Sequence, residues 1–143
     1  MLLHLPAILV ADELARIRHA LATAQWGDGR ETVGTQGAQV KRNLQLPAAS
    51  TLRHELGQIV LAALQRNPRY FAATLPVKTL PPRFNRYEDG GEYGFHVDGA
   101  VMRLGDSEHL RSDISCTLFL SSPDEYDGGG LIISDTYGEH EVK

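Results

Sequence analysis

"RFNRYEDGGEYGFHVD", residues 83–98, decides how this chain is read. Its glycines at 90, 91 and 94 divide it into short strand-like pieces, and its end sets His96 and Asp98 two positions apart. Along a β-strand successive side chains alternate faces, so residues i and i+2 project to one side. His96 and Asp98 then converge on a single ion while Val97 packs behind them. An imidazole nitrogen beside a carboxylate oxygen supplies two members of the two-His-one-carboxylate set that holds non-haem Fe(II) on one face and leaves its other positions open. The triplet has weaker readings too: six histidines make a chance H-x-D unsurprising, and histidine with carboxylate also suits zinc or manganese in a cupin-like barrel.

Outward from this stretch, "SCTLFLS" (115–121) reads as an apolar strand, and "GGGLIISD" (128–135) as a glycine turn leading into another. The continuation "DTYGEHEVK" (135–143) reads as turn and strand. Upstream the pattern is helical. "ADELARIRHALATA" repeats Leu14, Ile17 and Leu21 behind Asp12 as a cap, predicting a helix over 12–24 that ends before Gly27 and Gly29. "STLRHELGQIVLAALQRN" offers Ser50 as cap and an apolar face of Leu52, Leu56, Ile59, Ala63 and Leu64. The apolar "MLLHLPAILV" reads as a first strand, and "QWGDGRETVGTQGAQVKRN" as a loop with a short strand or two. Helices first and strands afterwards predict an α+β fold, with a helical part at 1–75 and strands at 76–143 of a single domain.

Composition narrows the functions. With 143 residues, 42% hydrophobic and 22% charged, the chain suits one soluble domain, and a formal charge of −4 gives no electrostatic reason for a nucleic-acid or anionic membrane partner. No apolar run approaches the roughly 18 residues of a membrane span. The first ten residues lack a basic lead and contain Pro6, so they do not read as a secretion signal. One cysteine, Cys116, set in "DISCTLFL", reads as a buried strand thiol in a reducing, cytoplasmic setting.

The order "RFNRYEDGGEYGFHVD", then "RSDISCTLFLSSPDEYDGGGLIISDTYGEHEVK", resembles the PKHD-type hydroxylases, bacterial Fe(II)- and 2-oxoglutarate-dependent dioxygenases of the prolyl 4-hydroxylase superfamily that include proteins called iron-uptake factors. The resemblance covers essentially the whole chain. It implies a double-stranded β-helix (jelly-roll) with helices packed on it, with His96 and Asp98 as proximal iron ligands. Tyr87 falls where relatives hydrogen-bond 2-oxoglutarate, whereas the relatives' second co-substrate tyrosine falls on Leu118. "YDGGGLII" matches the family's Gly-Gly turn, which a plain hairpin would equally explain. The implied reaction hydroxylates a C–H bond of a small-molecule or peptide substrate while 2-oxoglutarate is decarboxylated to succinate, with L-ascorbate keeping iron reduced. Tyr93 and Phe95 are candidates for a dry aromatic lining.

By the same resemblance, the second histidine ligand and the basic anchor of 2-oxoglutarate lie on strands after "DTYGEHEVK", so the barrel is expected to be incomplete within these residues and the chain alone impaired. His109 and His140 are the downstream histidines, and neither falls on the ligand strand. His4, His19 and His54 read as structural or exposed, and Arg83 and Arg86 as solvent-facing arginines flanking the site. An open sheet invites self-association. A non-catalytic remnant or ligand-binding module of the same fold is the competing reading.

Overall fold

The computed structural model describes residues 2–32, 39–104 and 107–143. Among the described residues the fold is mixed α+β, with three helices and several small antiparallel sheets. The chain separates into two compact units, Met1–Tyr93 and Gly94–Lys143.

In the first unit, helix α1 spans Ala11–Ala22. Its N-cap is Val10 rather than Asp12: the Glu13 carboxylate reaches back to the Val10 N–H at 3.0 Å, which leaves Asp12 inside the first turn. Of the expected apolar positions Ile17 is fully buried, worth about 1.5–3 kcal/mol by transfer from water. Helix α2, Thr51–Gln65, starts as its sequence predicts, with the Ser50 side chain accepting from the Arg53 N–H. Leu56, Val60, Ala63 and Leu64 form its buried stripe. Arg66, just past α2, donates to Glu13 Oε1 at 2.7 Å and to Oε2 at 2.5 Å, so one guanidinium ties the end of α2 to the start of α1.

Helix α3, Pro68–Thr74, is too short to show as an apolar repeat in the sequence. Asn67 caps it by accepting from the Tyr70 N–H at 3.0 Å, and Pro68 sits in the first turn, where its missing N–H costs nothing. The expected first strand is also corrected. Residues 2–10 contribute no strand, because Pro6 removes a donor and Ala7 takes φ +53°, which turns the backbone out of the extended region.

Two small sheets complete this unit. Strands β1 (Gly27–Asp28), β3 (Leu44–Gln45) and β4 (Asn85–Arg86) form an antiparallel sheet of order β1-β3-β4, while β2 (Lys41–Arg42) pairs with β5 (Glu92–Tyr93). The register sets Gly27 opposite Gln45 and Gln45 opposite Asn85. On the alternate face Leu46 and Phe84 are buried, with the Leu46 N–H donating to the Phe84 carbonyl at 3.1 Å.

The second unit consists of two hairpins and irregular segments. Strand β6 (Val101–Leu104) pairs with β7 (Glu108–Arg111), a hairpin the sequence reading passed over. Strand β8 (Leu131–Asp135) pairs with β9 (Gly138–Val142), the expected strand, turn and strand. Gly128 and Gly129 at φ +67° and +64° make the turn before β8, as the glycine run suggested. Residues 115–121, expected as a strand, form no ladder among the described residues, and Cys116 is exposed rather than buried. Strand-like composition needs a bonded neighbour to become a strand, and none is paired with it. Among its described residues this unit buries none, and Val97, Val101, Ile114 and Ile132 lie exposed.

Candidate functional site

His96 and Asp98 lie in the second unit, in the irregular stretch between β5 and β6 rather than within a strand. The two side chains meet nonetheless: His96 Nε2 is 3.3 Å from Asp98 Oδ1. His96 Nδ1 is 2.7 Å from the Gly94 carbonyl oxygen. A carbonyl only accepts, so Nδ1 carries the proton and Nε2 is the nitrogen turned toward Asp98.

An imidazole lone pair and a carboxylate oxygen facing each other at this separation hold either a proton or a metal ion between them. Cis ligands on an ion with bonds of about 2.1 Å stand about 3 Å apart, so the pair fits a divalent transition metal. The backbone bond at Nδ1 is the outer contact that fixes ligand tautomers in metal sites. The Asp98 side chain is 60% exposed and that of His96 29%, leaving the pair open to solvent. Among the described residues no group of three or more His, Cys, Asp or Glu side chains is arranged to hold a metal.

The other sequence candidates take ordinary positions. His140 on β9 faces Asp135 at 3.7 Å, and His109 on β7 is exposed opposite Arg103. Arg83 and Arg86 are exposed; Arg86 pairs with Glu88 at 2.8 Å and lies over the Trp26 ring, 5.9 Å from its centroid. Phe95 is exposed and lines no dry pocket, and Leu118 is half-buried in the unpaired 115–121 segment.

Tyr87 belongs to the first unit, one residue beyond β4. It is 46% exposed, yet partial burial of its phenol raises the pKa above the usual tyrosine range, the Asn43 side chain working against that shift and nearby Tyr93 adding to it. Beneath it lies a polar surface that hydrophobicity did not signal. Lys41 on β2, Asn43 between the strands and Gln45 on β3 are 5%, 8% and 3% exposed. Asn85 Oδ1 accepts from Asn43 Nδ2 at 3.2 Å and from Gln45 Nε2 at 2.6 Å, so one acceptor serves two buried donors. The amide oxygens of Asn43 and Gln45 have no hydrogen-bond partner. Lys41 Nζ lies over the Tyr93 ring at 5.3 Å, and burial, then repulsion from Arg83, lowers its pKa against an opposing attraction from Asp28. The sequence offered only the alternation K-x-N-x-Q, which does not say whether that face is buried.

Comparison with characterised protein families finds no family model that matches. Among curated proteins, a PKHD-type hydroxylase of Stenotrophomonas maltophilia (strain R551-3) is 70% identical over 143 residues, all of this chain and 64% of that relative. A PKHD-type hydroxylase of Xylella fastidiosa (strain Temecula1 / ATCC 700964) is 66% identical over 148 aligned positions, and one of Janthinobacterium sp. (strain Marseille) 57% over 144, again covering all of this chain and 64% of each relative. The chain therefore spans just under two thirds of the length of the curated relatives it matches.

Proposed function

For a chain homologous over its whole length to curated PKHD-type hydroxylases, we propose the chemistry of an Fe(II)/2-oxoglutarate-dependent dioxygenase that hydroxylates a C–H bond of a small-molecule or peptide substrate. The observation that carries this reading is the His96–Asp98 pair, with its tautomer fixed by the Gly94 carbonyl and its nitrogen and oxygen at cis-ligand separation. These two side chains would hold Fe(II). When bound, iron supplies oxygen activation coupled to the decarboxylation of 2-oxoglutarate to succinate, with L-ascorbate keeping the metal reduced.

The remaining assignments concern what this chain's own residues do. His96 presents Nε2 because Nδ1–H is spent on the backbone, and Asp98 adds a carboxylate oxygen that suits a divalent ion. Tyr87 offers a hydroxyl to a co-substrate carboxylate, and its raised pKa keeps that hydroxyl a donor at neutral pH. We place the fold in the jelly-roll class of the family, incomplete within these residues; the exposed apolar side chains of the second unit support this. The third ligand and the co-substrate anchor then come from outside them, and two ligands alone give weak iron binding, little turnover and a tendency to self-associate. A cytoplasmic setting follows from the need to keep iron reduced; no helix among the described residues is long and apolar enough to cross a membrane.

The test is release of labelled CO2 from 1-carboxyl-labelled 2-oxoglutarate with Fe(II) and ascorbate, comparing this chain with a full-length relative and its equivalent histidine variant. Histidine-dependent release from the full-length protein, with far less from this chain, is the expected result. No release from either would favour a non-catalytic binding module.

A further inference from the structure

The β6–β7 hairpin carries a charge pattern that its folding does not call for. Its register sets Val101 opposite Arg111 and Arg103 opposite His109. Side chains alternate along each strand and partners across the ladder share a face, so Val101, Arg103, His109 and Arg111 lie on one face and Met102 and Leu110 on the other. Burial agrees: the first four are exposed, whereas Met102 and Leu110 are half-buried. Arg103 and Arg111 are the only arginines in residues 94–143, a stretch with ten Asp and Glu and one lysine, Lys143. Scattered among those acids, each would offset negative charge. Set diagonally across one ladder, about 7–8 Å apart at the backbone, their charges repel. Arg111 pairs with Asp113 at 2.8 Å, but both side chains are exposed, and such a pair adds little stability. The hairpin is also tied to the His96–Asp98 stretch: β6 begins three residues after Asp98, and the Ser112 N–H donates to the Ala100 carbonyl at 2.8 Å, closing the ladder at that end.

We propose that this basic face is a docking surface for an acidic, extended segment of a peptide substrate. In an extended chain, side chains two residues apart project to one side about 7 Å from each other, which matches the separation of Arg103 and Arg111. Each guanidinium presents a planar fork that takes a carboxylate through two N–H donors, and His109, across from Arg103 and two residues from Arg111, adds a further donor beside them. Charge complementarity selects the occupant: in a unit with so many acids, this face is where a negatively charged segment is attracted rather than repelled. The proposal rests on the reading of His96 and Asp98 as the reaction centre and names its substrate class, an acidic peptide held beside that centre.

Metal-free protein is titrated into a fluorescein-labelled peptide of alternating Asp and Ala, followed by fluorescence anisotropy, with an alternating Asn and Ala peptide of equal length as the neutral control. The wild type should bind the Asp-Ala peptide about tenfold more tightly than the Asn-Ala one. Arg103→Gln and Arg111→Gln should each weaken it about fivefold, whereas Arg69→Gln, an equal loss of charge at an exposed position on α3, should leave it unchanged. The double variant Arg103→Glu, Arg111→Glu should lose the Asp-Ala peptide and bind a Lys-Ala peptide more tightly than the wild type does, a reversal that misfolding does not produce. Equal binding of the Asp-Ala and Asn-Ala peptides, unaltered affinity in both single variants, or an equal loss in Arg69→Gln overturns the proposal. The His96-dependent Fe(II) absorption band is scored separately: a normal band without arginine-dependent peptide binding sinks this inference alone, and arginine-dependent binding without a band upholds the docking face and sinks only the iron reading.

Discussion

Gly29→Ala tests the packing that supports the polar face. Gly29 is buried at the start of a short 3-10 turn (Gly29–Thr32), and its N–H donates to the Asn43 carbonyl at 3.0 Å. A Cβ added there would lie 1.9 Å from Asn43 Oδ1, 2.9 Å from Cγ and 3.0 Å from the Asn43 carbonyl oxygen. Rotation of the Asn43 side chain relieves the first two contacts, but it breaks the bond to Asn85; the third is to backbone and needs a shift of the main chain between β2 and β3. Overpacking of this kind costs about 1–3 kcal/mol. For a chain of this size the midpoint falls by about 3–9 °C. The assay is urea denaturation of wild type, Gly29→Ala, Asn43→Ala and the double variant. Because Asn43→Ala removes the side-chain clash, Gly29→Ala should cost clearly less in that background, a coupling that additive sites do not show. Equal costs in both backgrounds, or a single variant within about 0.5 kcal/mol of wild type, would refute the reasoning.

Ile17→Ala should destabilise the first unit by about 2–5 kcal/mol in the same assay, since the side chain is fully buried between α1 and the core; a change under about 1 kcal/mol would mean that α1 is not packed as described. Arg30 hydrogen-bonds to both carboxylate oxygens of Asp28 and holds its pKa at about 2, below the ordinary 3.8. A depressed carboxyl contributes stability above its unfolded value and loses it as pH falls from about 3.8 through about 2, so NMR titration should give a midpoint near 2 that Arg30→Ala returns toward 3.8. A wild-type midpoint already near 3.8 would contradict the pair. Cys116 should react with a thiol reagent in the folded chain, more slowly at neutral pH than an unperturbed thiol because partial desolvation raises its pKa; complete protection until unfolding would restore the buried-strand reading.

What the sequence made legible follows from how local each signal is. Ser50 and the apolar repeat behind it announce α2, because a helix bonds within itself and its cap lies three residues from its target. The β8–β9 hairpin was equally readable, its partner strands being three residues apart. Asn67-Pro68 carries a valid start signal for α3, an asparagine cap followed by proline in the first turn, but seven residues are too few to add an apolar repeat behind it. The segment 115–121 has strand composition, but a strand is defined by a neighbour that composition does not name. At the site, the spacing of His96 and Asp98 was enough to bring them together even without a strand. The polar set of Lys41, Asn43 and Gln45 was not legible, because alternation shows that three residues share a face and says nothing of whether that face is buried.

The central claim is that His96 and Asp98 form an iron site able to present 2-oxoglutarate to the metal. Anaerobic titration of the protein with Fe(II) and 2-oxoglutarate tests it most directly, through the visible metal-to-ligand charge-transfer band, with His96→Ala and Asp98→Ala as controls. A weak band requiring millimolar-range iron, absent in both variants and strengthened in a full-length relative, is the predicted result. A band of equal strength in the variants, or none in the full-length relative, would contradict the assignment of this pair.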